Sequence, residues 1–145
     1  MFPSTVYLER RNKLINLIES GIVLLPGNKL KPINYRSNTY RFRQDSTFYY
    51  FTGINRPDLF LIIDIDNNKT ILFGNDYDEE DFIWMGIMPS LEYLSSNAGI
   101  FNVEPLNKLK DFLEKKKIQK FIICLYILMI FSYNYHIYWI LNLKI

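Results

Sequence analysis

Five carboxylates between positions 76 and 81 are the residues of this chain that could most readily do chemistry. They are Asp76, Asp78, Glu79, Glu80 and Asp81. Carboxylate oxygens are preferred ligands of calcium, magnesium and manganese, so a cation site is one interpretation. The spacing departs from that of a calcium-binding loop, and acidic residues also stabilise the N-terminus of a helix. We therefore assign no metal to the cluster and favour the start of a helix.

Nucleophilic or zinc chemistry would have to use His136 and Cys124, the single histidine and the single cysteine of the chain. One histidine excludes a two-histidine zinc site, and the apolar neighbours of Cys124 disfavour a reactive thiolate. The sequence also contains no glycine-rich phosphate loop and no nucleophile elbow. From residue types alone, we expect no catalytic residue.

Charged and aromatic side chains alternate between Tyr40 and Gly53. The polar head of this segment is Arg43, Gln44 and Asp45, and aromatic residues follow it. One interpretation is a ligand-facing surface, in which the planar guanidinium of Arg43 binds a carboxylate and the rings form the walls of a pocket. The other is that Arg43 and Asp45 pair locally while the rings fill the core. The residue types alone favour the second interpretation.

Length and charge limit the classes of protein that remain. The chain has 145 residues, 49% of them hydrophobic, which suffices for one domain with its own core. Its net charge of +2 gives no electrostatic footprint for nucleic acid, so we expect no nucleic-acid partner. The first residues lack the apolar run of a secretory signal, and one cysteine cannot form an internal disulfide, which indicates a cytoplasmic location.

The pattern of apolar residues predicts alternating helices and strands. The predicted helices cover residues 5–20, 89–96 and 105–117, and the predicted strands cover 22–25, 47–52, 59–65, 70–73, 100–103 and 118–125. Asp66-Asn67-Asn68-Lys69 separates two of these strands as a hairpin turn would. Because the elements alternate without a strict β-α-β rhythm, the predicted fold class is α/β, a mixed β-sheet flanked by helices.

Two motifs make the sequence recognisable. The first is Arg43-Gln44-Asp45-Ser46-Thr47-Phe48-Tyr49-Tyr50-Phe51-Thr52-Gly53, and the second is Ile83-Trp84-Met85-Gly86. In this order they resemble the N-terminal domain of the Xaa-Pro aminopeptidases, the aminopeptidase P family. The similarity covers roughly residues 5–120 and also includes an apolar strand after Pro57-Asp58.

The resemblance implies a two-domain metallopeptidase with a creatinase-like, pita-bread catalytic domain. In this family the C-terminal domain removes an N-terminal residue that precedes proline, so the substrates are peptides with proline at position two. Two manganese ions are held there by two aspartates, a histidine and two glutamates. The chain stops before that domain, so we expect no catalytic or metal-binding residue and no activity from this polypeptide alone. The implied partner is a second copy or a full-length homologue.

The resemblance also gives roles to individual residues. Trp84 occupies the position from which the family's tryptophan reaches toward a neighbouring subunit and helps to form its substrate pocket. Arg43, Gln44 and Asp45 match the polar head of the first motif, which implies a structural device facing the catalytic domain. Phe48 and Tyr50 match the aromatic positions and are expected to pack the predicted strand. For Trp84, an ordinary core or interface position remains an equal alternative.

The composition changes where the resemblance ends. Residues 1–120 hold all 15 acidic and 16 of the 17 basic side chains, whereas only Lys144 is charged between positions 121 and 145. We therefore divide the chain into a domain over 1–123 and a divergent apolar tail over 124–145. A truncated or frameshifted gene is the favoured origin of the tail. The alternative for the tail is a membrane anchor in which residues 121–143 cross the bilayer. For the function of the chain, the alternatives to a peptidase N-terminal domain are a stand-alone interaction module and a tail-anchored membrane protein.

Overall fold

A hairpin of apolar strands forms the centre of the fold. In the computed structural model, which describes residues 1–35, 37–115 and 121–123, five-residue strands run on either side of the turn at Asp66–Asn68. Asn68 adopts a φ of 47°, a left-handed conformation that asparagine tolerates better than most residues. The predicted hairpin is therefore confirmed, together with its antiparallel pairing.

Ten helices and strands are assigned within the described residues, and they alternate along most of the chain. In chain order they are α1 (Ser4–Asn16), β1 (Ile22–Pro26), α2 (Ser46–Thr52), β2 (Phe60–Asp64), β3 (Lys69–Phe73), α3 (Glu79–Met85), α4 (Leu91–Asn97), β4 (Asn102–Glu104), α5 (Lys108–Lys115) and β5 (Phe121–Ile123). The strands form one sheet in the order β4-β3-β2-β1-β5. The inner pairs β1·β2 and β2·β3 are antiparallel, and the outer pairs β1·β5 and β3·β4 are parallel. The predicted mixed sheet is confirmed.

Both faces of the central strands are buried. Successive side chains of a strand point to opposite faces, and each face has its own apolar cluster. Val23, Leu25, Leu61 and Ile63 pack on one face with the helical residues Phe48 and Leu91. The opposite face carries Ile22, Leu24, Phe60 and Ile62 with Leu109 and Leu113 of α5. Each fully buried side chain of this size contributes about 1.5–3 kcal/mol, so the two clusters supply most of the driving force for folding.

The segment predicted as a strand over 47–52 is a helix instead. The Asp45 carboxylate accepts hydrogen bonds from the backbone N–H groups of Thr47 and Phe48, which begins α2. Gly53 ends it in a left-handed conformation with a φ of 67°. Because Phe48 and Thr52 lie four residues apart, both face the core, and the β-propensity of the aromatic residues is overridden. The expectation that Phe48 and Tyr50 pack a strand is therefore wrong.

The remaining predicted elements exist, with shifted ends. The first helix ends at Asn16 rather than at residue 20, and the helix predicted from Pro89 begins at Leu91 with Ser90 as its cap.

An exposed ion pair links the end of β4 to the start of α5. The carboxylate of Glu104, the last residue of β4, accepts a hydrogen bond from the Lys108 ammonium at 2.8 Å, and this bond lowers the pKa of Glu104.

Several predictions concern residues outside the described part of the chain. Cys124, His136 and the apolar tail over 124–145 lie there, so the division at residue 123 stays a prediction. The same holds for most of the anchor proposed over 121–143. Within residues 1–35, 37–115 and 121–123, no helix is long and apolar enough to cross a membrane.

Candidate functional site

The four candidate site residues lie in two separate elements. Arg43, Gln44 and Asp45 occupy the extended segment that leads into α2, whereas Trp84 lies on α3. Gln44 is buried and Asp45 half-buried, while Arg43 and Trp84 are exposed. The first motif is therefore largely structural, and two exposed side chains remain available for contacts.

Gln44 joins three parts of the backbone. Its side-chain oxygen accepts hydrogen bonds from the N–H groups of Asn28 at 2.7 Å and Asp45 at 2.9 Å. Its amide nitrogen donates to the carbonyl of Arg56 at 2.7 Å. These three hydrogen bonds need an acceptor and a donor at the end of one side chain, which an amide provides and a carboxylate does not. Gln44 thus fixes the loop after β1 against the loop after α2.

Asp45 acts as the N-cap of α2. Both backbone donors that it satisfies would otherwise lack a partner at the helix start. The described residues show no ion pair between Arg43 and Asp45, so the local pairing considered for this segment is not found. Asp45 is a positioning residue for the helix that carries Phe48.

Replacing Asp45 with alanine is expected to lower the free energy of unfolding by about 1 kcal/mol, because the first turn of α2 loses its cap. Asp45→Ser is the matched control, since a serine hydroxyl caps nearly as well and should cost only a few tenths of a kcal/mol. Urea unfolding followed by circular dichroism measures both. Equal decreases in the free energy of unfolding for Asp45→Ala and Asp45→Ser would contradict a capping role.

Arg43 lies at the edge of an open groove of about 500 Å³. The groove lies between the start of α1 and the residues around α2, and aromatic side chains form much of its lining. The lining residues are Phe2, Tyr7, Arg10, Phe42, Arg43, Gln44, Ser46, Tyr49, Tyr50 and Asn55. Tyr49 and Tyr50 are about half-exposed, whereas Phe48 belongs to the core. The structure therefore combines both interpretations of the segment: some rings fill the core and others form a surface.

Arg10 organises the aromatic side of this groove, although nothing but its charge marks it in the sequence. Its guanidinium lies 4.1 Å from the ring centroid of Tyr50 and donates a 2.7 Å hydrogen bond to the Tyr50 carbonyl. The rings of Phe2 and Tyr7 also lie within 6 Å of it. These cation–π contacts keep a positive charge inside the groove and hold α1 to α2.

The neighbouring Arg11 is almost completely buried. Its guanidinium donates to the carbonyls of Phe51, Ala98 and Gly99 at 2.8, 2.8 and 2.9 Å, and so ties α1 to the ends of α2 and α4. Burial lowers the pKa of Arg11 to about 10. Nothing in the sequence distinguishes Arg11 from Arg10, because only the packed helix reveals which one faces inward.

The acidic cluster begins a helix, as expected. Asp78 caps α3, and its carboxylate accepts from the N–H of Asp81 while the Asp81 carboxylate accepts from the N–H of Asp78. Asp76 pairs with the buried Arg56 at 3.3 Å and accepts from the N–H of Leu91 at 2.6 Å. Three of the five carboxylates are thus engaged with the protein itself. Among the described residues, no group of three or more His, Cys, Asp or Glu side chains is arranged to hold a metal ion.

Trp84 is one of four exposed apolar side chains on α3 and directly after it, which we call the α3 patch and define as Phe82, Ile83, Trp84 and Ile87. Their exposed fractions are 42%, 79%, 81% and 99%. Gly86, with a φ of 75°, ends the helix before Ile87. Several large apolar side chains exposed within six residues are typical of a segment that contacts another protein. A core position for Trp84 is excluded.

Comparison with known sequences assigns a family to this fold. The sequence model described as "Aminopeptidase P, N-terminal domain" matches residues 7–122. A "Probable Xaa-Pro aminopeptidase" of Podospora anserina is 35% identical over 99 residues, and one of Fusarium vanettenii is 34% identical over 113 residues. The matches cover 68% and 74% of this chain but only 21% and 24% of those proteins.

Solved structures agree with the fold. Aminopeptidase P from E. coli superposes with a TM-score of 0.67 at 23% identity, over 79% of this chain and 27% of that one. A Bacillus anthracis protein described as a candidate aminopeptidase P gives a TM-score of 0.75 at 20% identity, over 86% of this chain and 31% of that one. The chain therefore spans less than a third of the length of each of these four relatives. On the family match over residues 7–122, this chain belongs to the aminopeptidase P family through its N-terminal domain.

Proposed function

We propose that this chain serves as the N-terminal domain of a Xaa-Pro aminopeptidase and presents the α3 patch to the substrate pocket of a neighbouring subunit. The observation that carries the proposal is the exposure of Trp84, at 81%, together with that of Ile83 at 79% and Ile87 at 99% in the same short segment. Large apolar side chains at a protein surface gain most when a partner removes them from water.

The peptidase chemistry itself is proposed to reside in the part of the relatives that this chain does not cover. An E. coli relative has been solved with zinc substituted and product bound, which supports a metal-dependent reaction in that protein. For the present protein we propose manganese, held outside the residues described here. We expect no cleavage of peptides with proline at position two by the 145-residue polypeptide alone, even with manganese added.

A chimera tests this proposal. Residues 1–123 of this chain replace the matching N-terminal domain of the Podospora anserina relative, and the remainder of that protein follows unchanged. Steady-state cleavage of a peptide with proline at position two is then measured with manganese. Turnover by the chimera supports the proposal, and a folded chimera without turnover contradicts it.

Within this chimera, Trp84→Ala is expected to lower kcat/KM by about tenfold, which equals the loss of about 1.4 kcal/mol of contact energy. The matched control is Phe101→Ala, because Phe101 is an aromatic residue of similar exposure, 82%, outside the α3 patch. Thermal unfolding of both variants should match that of the parent chimera. An equal loss of kcat/KM in the two variants would remove the special role of Trp84.

The α3 patch also fits the alternative of a stand-alone module that binds a full-length homologue. Co-purification of the 145-residue chain with such a homologue, lost on Trp84→Ala, would favour that alternative. Activity of the chimera distinguishes the two, because a module that only binds has no need to complete a substrate pocket.

A further inference from the structure

The α3 patch lies on a segment that packs little against the rest of the domain. We call residues 77–90 the α3 segment, because they contain α3. No side chain of this segment that the structure describes is buried. The hydrogen bonds of residues 78–89, as far as the structure describes them, all stay inside the segment. Core packing therefore gives the patch little support, and its position depends on the two ends of the segment.

The two ends of the segment meet at Asp76. The Oδ1 atom of Asp76, directly before the segment, accepts a hydrogen bond from the N–H of Leu91, directly after it, at 2.6 Å. Leu91 is 2% exposed and belongs to the core, so the far end of the segment is anchored. A methyl group placed on Gly74 would lie 3.0 Å from the Leu91 side chain, so the backbone before Asp76 also approaches this residue. The α3 segment is thus a loop closed at its base.

Arg56 fixes the same base from inside the domain. Its guanidinium lies 3.3 Å from Oδ1 of Asp76, donates to the carbonyl of Asn75, and stacks 3.9 Å from the ring centroid of Tyr77. The Arg56 side chain is only 6% exposed, and its backbone carbonyl accepts a 2.7 Å hydrogen bond from Gln44. A planar guanidinium held on several sides in this way is a rigid support. The start of the α3 segment is therefore tied to the buried part of the domain.

We infer that Arg56 and Asp76 form a clamp that sets the orientation of the α3 patch, which makes both of them positioning residues for Trp84. One carboxylate oxygen receives the N–H group that closes the loop and the guanidinium that ties the loop to the domain. Charge-assisted hydrogen bonds are stronger than neutral ones, so the shared carboxylate suits this task. The role for Trp84 rests on the contact proposed above, whereas the clamp can be tested without that contact.

Hydrogen–deuterium exchange of the 145-residue chain tests the clamp. In Asp76→Ala we expect the backbone amides of residues 79–91 to exchange at least about tenfold faster than in the parent, because the loop opens at its base. Amides of β1, β2 and β3 should exchange at the parent rate, since Asp76 is 55% exposed and its removal leaves the core intact. Unchanged exchange over residues 79–91, or an equal acceleration in the strands, would overturn the inference.

Two further variants separate the clamp from a general effect of charge. In Asp76→Asn an amide oxygen still accepts from the Leu91 N–H, so exchange over residues 79–91 should rise by less than about threefold. Glu79→Ala removes an exposed carboxylate of the same segment, one whose side chain has no hydrogen-bond partner among the described residues, and should exchange like the parent. Equal acceleration in Glu79→Ala and Asp76→Ala would overturn the inference.

A double-mutant cycle in the chimera tests whether the clamp acts through Trp84. Asp76→Ala is expected to lower kcat/KM by about fivefold, and its combination with Trp84→Ala by no more than the tenfold or so expected for Trp84→Ala alone. Asp76→Asn should stay within about twofold of the parent chimera. An additive loss of about fiftyfold in the double variant would overturn the positioning role.

The two experiments separate this inference from the proposed function. An inactive chimera would contradict the proposed function, and exchange in the 145-residue chain would still decide whether the clamp exists. Conversely, an active chimera that depends on Trp84, combined with unchanged exchange in Asp76→Ala, would support the proposed function and overturn the clamp.

Discussion

Arg11→Ala is expected to lower the free energy of unfolding by about 3 kcal/mol, one of the two largest effects we predict. Three carbonyls lose a charged donor, and hydrogen bonds to charged groups contribute about 1.5–3 kcal/mol each. The free-energy cost of burying the charged guanidinium opposes this stabilisation. The lowering of the Arg11 pKa to about 10 corresponds to about 3 kcal/mol. The three hydrogen bonds together contribute more free energy than this cost, so removing the side chain destabilises the fold.

The control for Arg11 is Lys13→Ala, a cation on the same helix with an exposed side chain, which should change stability by less than about 0.5 kcal/mol. Urea unfolding measures both variants. Because the folded-state pKa of Arg11 is lowered, the cost of its charge is present in full at neutral pH and falls only as the pH rises above about 10. Similar losses in Arg11→Ala and Lys13→Ala would mean that the three carbonyls do not depend on Arg11.

Gly53→Ala is expected to cost about 4 kcal/mol for two separate reasons. Gly53 has a φ of 67°, and a left-handed conformation costs an alanine about 1–2 kcal/mol. A methyl group at this position would also overlap the phenol of Tyr7. Tyr7 is 1% exposed and its hydroxyl accepts from the N–H of Phe2, so the ring has little room to move. Overpacking of this kind costs about 1–3 kcal/mol more.

Gly99→Ala separates these two contributions. Gly99 has the same φ of 67°, but the nearest atoms that an added methyl group would meet belong to the side chain of Leu8, which is 36% exposed and can shift. We expect a loss of about 1–2 kcal/mol, the backbone contribution alone. Thermal and urea unfolding of the two variants measure the difference. If both variants lost the same stability, the close packing of Tyr7 on Gly53 would be refuted.

The central sheet could be predicted because its evidence is local. Runs of branched apolar residues on both sides of a turn with two asparagines indicate a hairpin, and β1 follows the same reasoning. The helix α2 could not be predicted in this way, since its aromatic residues favour a strand by propensity. Its identity depends on the cap at Asp45 and on the burial of Phe48 against residues distant in the sequence.

The candidate site, like the fold, could be predicted only in part from the sequence. Trp84 was identified through a motif, and its exposure on α3 agrees with a contact role without testing it. The groove beside α2 was anticipated only in part, as one interpretation of Arg43 and the rings that follow it, because its other cations come from distant stretches of the chain and the common surface forms only after folding. The burial of Arg56 could not be predicted from the sequence either, because it depends on the ion pair with Asp76 and on stacking of the guanidinium 3.9 Å over the ring of Tyr77.

The most direct test of the account is the kcat/KM of the unmutated chimera for a peptide with proline at position two. We expect a value within about tenfold of the Podospora anserina parent, because a domain of the same family and fold should present the same surfaces to the remainder of that protein. The reference is the parent lacking its N-terminal domain, which should be much less active. A chimera that is folded and loaded with manganese, yet no more active than this reference, would contradict the account.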